Sequence, residues 1–165
     1  MRIAVTALLM TATSSTACGS SSPASGTDVA TIAGVIDPMD AQVQGWFDRE
    51  MTDSIVTGYS AADSIVMNPN APAMKGSEAM RRGLTEIFNT VDFHLRFKRD
   101  TLIAEDSMAS DQGHYTLELR TKSDTSKVIA SDYGSYVTTF VKRNGEWRAI
   151  FDIVTSEVPM PAGNR

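Results

Sequence analysis

Asp152 sits in the run Glu146 to Thr155, where residues two apart share one face of a strand, so Ile150 and Val154 flank it on the same side. A carboxylate buried among aliphatic side chains without a partner is unstable by about several kcal/mol, or takes up a proton. It therefore needs a donor, and Arg148, two residues back on that face, is one candidate. A second stretch, DSIVMNPNAPAMKG from Asp63 to Gly76, ends a short apolar run on Asn68, a neutral amide at a place where a carboxylate would make a general base. A carboxamide cannot accept a carbon acid's proton near neutral pH. The two histidines, His94 and His114, are far apart and no carboxylate stands at ligand spacing, so no metal is expected and no cofactor is implied. His94 alternates with Arg96 and Lys98, the pattern of a solvated face. No glycine-flanked serine marks a nucleophile, and Gly76-Ser77 reads as plain helix punctuation.

The elements that must position these groups fall into two halves. Asp37-Pro38 predicts a helix start, with Met39, Val43, Trp46 and Phe47 on one stripe. Thr52-Asp53 predicts a second, carrying Ile55, Val56 and Tyr59, and a strand follows over Ser64 to Asn68. Ser77 then caps a helix with Met80, Leu84, Ile87 and Phe88 on one face. From Val91 the period changes to two. Phe93, Leu95 and Phe97 alternate with polar neighbours, and further strands are predicted over Met108 to Lys122, Val128 to Lys142 and Glu146 to Thr155. Asn144-Gly145 joins the last two as a hairpin. Helices first and antiparallel strands afterwards predict an α+β domain with helices packed on one face of a sheet.

Bulk properties narrow the partners. The chain of 165 residues fits one domain plus an appendage, and 20 acidic against 15 basic residues disfavour a nucleic-acid partner. Residues 1–17 combine Arg2, an apolar run from Ile3 to Met10 and small residues, the layout of an export signal too short to span a bilayer. The single cysteine, Cys18, directly follows, so that the segment resembles a bacterial lipoprotein signal whose cleavage leaves a lipidated cysteine first. Residues 18–36 read as a flexible tether, 37–158 as the folded domain and 159–165 as a tail. The expected location is the cell envelope, with the membrane met only through a lipid on Cys18; a secreted or periplasmic soluble protein is the alternative.

Three patterns stand in order: Tyr59-Ser-Ala-Ala-Asp63-Ser-Ile-Val-Met, Met74-Lys-Gly76-Ser-Glu-Ala-Met80 and Gly145-Glu-Trp147-Arg-Ala-Ile-Phe-Asp152. Together they resemble the SnoaL-like branch of the nuclear-transport-factor-2-like superfamily, which includes ketosteroid isomerases. The resemblance implies a cone: a curved antiparallel sheet packed against the N-terminal helices, with a pocket at its mouth. It also implies that Ile150, Asp152 and Val154 look inward, together with Arg148, Gln112, His114, Thr116, Glu118, Gly134, Tyr136, Thr138, Phe140, Val66 and Asn68, with Tyr59 nearby. His114 and Asp152 would then pair as base and orienter, with Tyr136 as an oxyanion donor. Because the isomerases carry their catalytic aspartate where Asn68 stands, steroid isomerisation is not expected. The outward set would be apolar, Trp147, Ala149, Phe151 and Ile153 beside Tyr115, Leu117 and Leu119, which predicts a homodimer through the sheet. Three functions remain open on these grounds: a domain binding a small, largely apolar molecule in a polar-lined pocket, a proton-transfer isomerase, lyase or cyclase, and an assembly module whose pocket is unused.

Overall fold

The computed structural model describes residues 28–159. The readings of an export signal, of lipidation at Cys18, of most of the tether and of the tail beyond Pro159 lie outside the described residues.

The first helix, α1 (Val29–Asp48), starts well before Asp37. Ile32 and Ile36, 1% and 0% exposed, extend the stripe of Met39, Val43 and Phe47 by two turns, and their burial offsets the cost of an interior proline. Pro38 lies on the exposed side of the helix, where water can reach the carbonyl of Gly34 that loses its partner. The predicted tether is thus helical from Val29. A short turn, α2 (Thr52–Ser54), runs on into a π-helical segment (Ile55–Tyr59) that delivers Tyr59 to the core. After β1 (Ser60–Met67) and the two-residue β2 (Met74–Lys75) comes α3 (Gly76–Thr90). Ser77 does not cap α3; its hydroxyl donates to the Ala62 carbonyl at 3.4 Å.

The long strands follow as β3 (Val91–Glu105), β4 (Met108–Thr121), β5 (Asp124–Arg143) and β6 (Glu146–Ser156). They form one curved sheet with β1 and β2 in the order β2-β1-β6-β5-β4-β3. The sheet is mixed where a wholly antiparallel one was expected, because β1 runs parallel to β6. Asn144 and Gly145 take φ values of 53° and 86°, the left-handed pair that a two-residue hairpin needs to follow the strand twist.

Two irregularities decide which side chains face inward. Between β3 and β4, Arg99 pairs with Gly113 and Thr101 with Gln112, so Asp100 is an extra residue. A Cβ on Gly113 would stand 2.1 Å from the Lys98 carbonyl, so only glycine permits that approach. Between β5 and β6, Thr139 pairs with Phe151 and Phe140 with Ala149, leaving Ile150 extra. Trp147, Ala149 and Ile150 are consequently all buried, and the alternation resumes with Asp152 and Val154 inward. The expected outward placement of Trp147 and Ala149 is corrected by this bulge, and so is the inward placement of Arg148. That guanidinium turns outward to Glu146 at 3.0 Å.

Candidate functional site: an apolar cavity with a buried carboxyl

Helices α1 and α3 lie across the concave side of the sheet and enclose a cavity of about 460 Å³. Its walls are largely aliphatic and aromatic: Phe47, Leu84 and Ile87 from the helices, Phe93 and Leu95 from β3, Leu117 and Leu119 from β4. The β3–β4 register explains the wall. Phe93 faces Leu119, Leu95 faces Leu117 and Phe97 faces Tyr115, while on the other side His94 faces Glu118, Arg96 faces Thr116 and Lys98 faces His114. Apolar pairs bury inward and polar pairs meet water.

That register overturns the expected lining by β4. Gln112, His114, Thr116 and Glu118 lie on the outer face, not in the cavity, and Tyr115, Leu117 and Leu119 take the inner one. The His114 side chain is 60% exposed and bonds Asp100 at 2.9 Å, so no His114–Asp152 pair exists. Of the residues read as site-forming, Tyr59, Val66, Asn68, Ile150, Asp152 and Val154 line the cavity, with Asn68 exposed at its mouth. Tyr136, Thr138 and Phe140 face inward but stand behind the lining, each 3% exposed or less. Tyr136 donates to Asp111 at 3.3 Å and edges against Phe97, so it is not available as an oxyanion donor in the cavity. The cavity is therefore apolar with a few polar points, where a polar lining was expected.

Asp152 is the sharpest of those points. Thr138 donates to its Oδ1 at 3.1 Å, and among the described residues no cationic side chain lines the cavity beside it. The accessible part of its surface opens on the cavity while protein encloses it otherwise, and this burial raises the carboxyl to about 6, with the Thr138 bond opposing in part. A raised acid binds its proton more tightly folded than unfolded, so it adds stability at acid pH that is lost as pH rises from the ordinary value near 4 through about 6. We expect the unfolding free energy of the wild type, relative to Asp152→Asn, to fall by about 2 to 3 kcal/mol between pH 4 and pH 7. Urea titrations at the two pH values read this; a flat difference would mean that Asp152 titrates as an exposed acid.

Sequence reasoning missed a second polar group beneath the cavity. Arg99 bonds Asp40 at 2.7 Å and Asp111 at 2.9 Å and also holds Asp37, tying α1 to β3 and β4. Tyr59 donates to Asp40 at 3.1 Å. Burial and the neighbouring Asp111 carboxyl push Asp40 well above the carboxylate range, against the pull of Arg99. The three acids are all claimed by one guanidinium. One signal was present in the sequence: Arg99 continues the apolar alternation of Phe93, Leu95 and Phe97, and a cation on a buried face requires acids.

No protein-family model matches the chain, and no curated protein matches it either. Solved structures do. A ketosteroid isomerase-like protein from Erwinia carotovora atroseptica superposes with a TM-score of 0.65 at 17% identity, covering 76% of this chain and 96% of that one. A nuclear transport factor 2 (NTF2-like) superfamily protein from Salmonella enterica serovar Typhimurium gives 0.69 at 10% identity, covering 84% and 99%. A putative calcium/calmodulin dependent protein kinase II association domain from Xanthomonas campestris gives 0.60 at 18% identity, covering 78% and 88%. The chain thus has the nuclear-transport-factor-2-like fold, an α+β cone.

Proposed function

We propose that this chain is an exported, lipid-anchored domain that binds a small, largely apolar molecule in its cone. The observation that carries the reading is the cavity itself: about 460 Å³, open, walled by apolar side chains and carrying few polar groups, the usual make-up of a ligand site. Neither Phe140, in the core, nor Met67, 38% exposed, is among the residues lining the cavity, which favours a used pocket over assembly alone. A second copy over the outer sheet face completes the proposal, supported by Phe151, Ile153 and Tyr133, which are 40%, 39% and 51% exposed there. That face is more polar than the sequence suggested, since His114, Thr116 and Glu118 share it.

A second reading is proton-transfer chemistry with Asp152 as the acid or base, favoured by its titration near 6 inside an apolar cavity. It needs a partner for the substrate, which Asn68 can provide from the mouth of the same cavity.

Native mass spectrometry of protein purified from its own host tests export, anchoring, dimerisation and ligand together. The expected species is a dimer whose subunits start at a lipidated Cys18 and retain a small molecule. A variant isolates the cavity: Leu117→Trp fills it, so binding of the neutral dye Nile red should weaken by about 10-fold or more, with the near-ultraviolet dichroism of the fold kept. Equal dye binding by both proteins would place the ligand elsewhere and remove the proposal's basis.

A further inference from the structure

Among the described residues, every charged side chain lining the cavity is acidic, Asp132 and Asp152, with no lysine, arginine or histidine in the lining. The two acids are in different states of satisfaction. Asp132 accepts from the Tyr115 hydroxyl at 2.7 Å, the Ser156 hydroxyl at 2.6 Å and the Tyr133 backbone N–H at 2.9 Å. Asp152 accepts only from Thr138 and leaves its Oδ2 without a protein donor among the described residues. Near it in the lining, the Ser64 hydroxyl is buried, 2% exposed, and has no partner among the described residues. Ser64 and Val66 share one side of β1, and Val66 is the residue in register with Asp152. An orphaned buried hydroxyl and a carboxylate with a free oxygen, on adjoining strands in the wall of one cavity, are two independent unmet polar groups.

We infer that the cavity selects an apolar molecule bearing a protonated amine, whose ammonium meets the free oxygen of Asp152 and donates a further hydrogen bond to Ser64. This deepens the proposed binding function and rests on it. An ammonium supplies the positive charge that no side chain supplies, and charge-assisted bonds in a low-dielectric site are stronger than neutral ones. Tyr59, Phe47 and Phe93 add aromatic surface to the same enclosure. A carboxylate or phosphate ligand would instead bring a second negative charge against Asp152 and Asp132, with no cation to meet it. Fatty acids and phosphate esters are therefore excluded on the same grounds that admit an amine. A neutral ketone could accept from the Ser64 hydroxyl but would leave the free oxygen of Asp152, mostly ionised near neutral pH, without a donor, and is disfavoured on that ground.

The test uses three probes with one rigid skeleton, 1-aminoadamantane, 1-adamantanol and adamantane-1-carboxylate, titrated calorimetrically into the full chain. At pH 7.5 the amine should bind about 10- to 100-fold more tightly than the alcohol, with the carboxylate weakest. Its affinity should fall about tenfold between pH 7 and pH 5, as Asp152 takes up the proton that the ammonium displaces; of the other titratable groups of the lining, Tyr59 donates to Asp40 and Tyr115 to Asp132. Asp152→Asn should remove the amine's advantage over the alcohol. An alcohol or carboxylate that binds as tightly as the amine, or an amine preference that survives in Asp152→Asn, overturns the inference while leaving the cavity in use. If none of the three probes nor Nile red binds, the binding reading falls with it.

Discussion

Replacing Arg99 by methionine should lower the unfolding free energy by about 3 to 5 kcal/mol, the range found when one partner of a buried ion pair is removed. Methionine keeps much of the volume and loses the charge. Asp111, 1% exposed, would then hold a carboxyl with only the Tyr136 hydroxyl as donor, and Asp40 would keep only Tyr59. Uncompensated charge in a buried site, rather than lost packing, is the source of the effect. Two further measurements separate these causes. The loss should shrink at acid pH, where the freed carboxyls take up protons; Asp40 already binds its proton above the usual carboxylate range. Combining Arg99→Met with Asp111→Asn should restore part of the stability, since the second change removes the charge stranded by the first. A loss under about 1 kcal/mol in urea unfolding would show that the network is dispensable and that α1 is held to the sheet by apolar contacts alone.

Phe140→Ala should cost a similar amount, about 3 to 5 kcal/mol, by a different route. Phe140 is 0% exposed and pairs with Ala109 on one side and Ala149 on the other, both buried. Its ring is the one bulky group in that row of the sheet, flanked by two small residues that leave room for it, and a third alanine would open a void nothing nearby can fill. The ring also meets Tyr59 edge to face at 5.6 Å, so its loss frees the tyrosine whose hydroxyl supports Asp40. Phe140→Leu, which retains most of the volume, should cost markedly less. Equal losses for the two variants, read by urea unfolding, would place the effect in the aromatic contact and not in the void.

The sequence was enough for the fold class because its signals are local. Helical spacing before Val91, the period of two after it and the Asn144-Gly145 turn each depend on neighbours within a few residues, and the helices and long strands exist where they were expected, with α1 longer than Pro38 suggested, β1 starting at Ser60 rather than Ser64 and the two-residue β2 unforeseen. The candidate site was half legible. Asp152 could be found because an acid between Ile150 and Val154 contradicts its surroundings, and Tyr59, Val66 and Asn68 followed from the motifs that carry the resemblance.

The inward face of β4 was not legible, and with it went His114 and the polar lining. Alternation divides a strand into two sets but does not say which set is inside; that depends on which residues of the next strand stand opposite. His114, Thr116 and Glu118 are directly across from Lys98, Arg96 and His94, so a solvated face on β3 forces a solvated face on β4. The inserted residues Asp100 and Ile150 act in the same way, since each shifts the pairing by one and reverses the side on which every later residue lies. Local composition thus determined the kinds of element, their order and the acid that cannot be left unexplained. Register and bulges, which arise only when distant strands meet, decided that this acid faces an apolar hollow with no basic residue, among the described ones, in its lining.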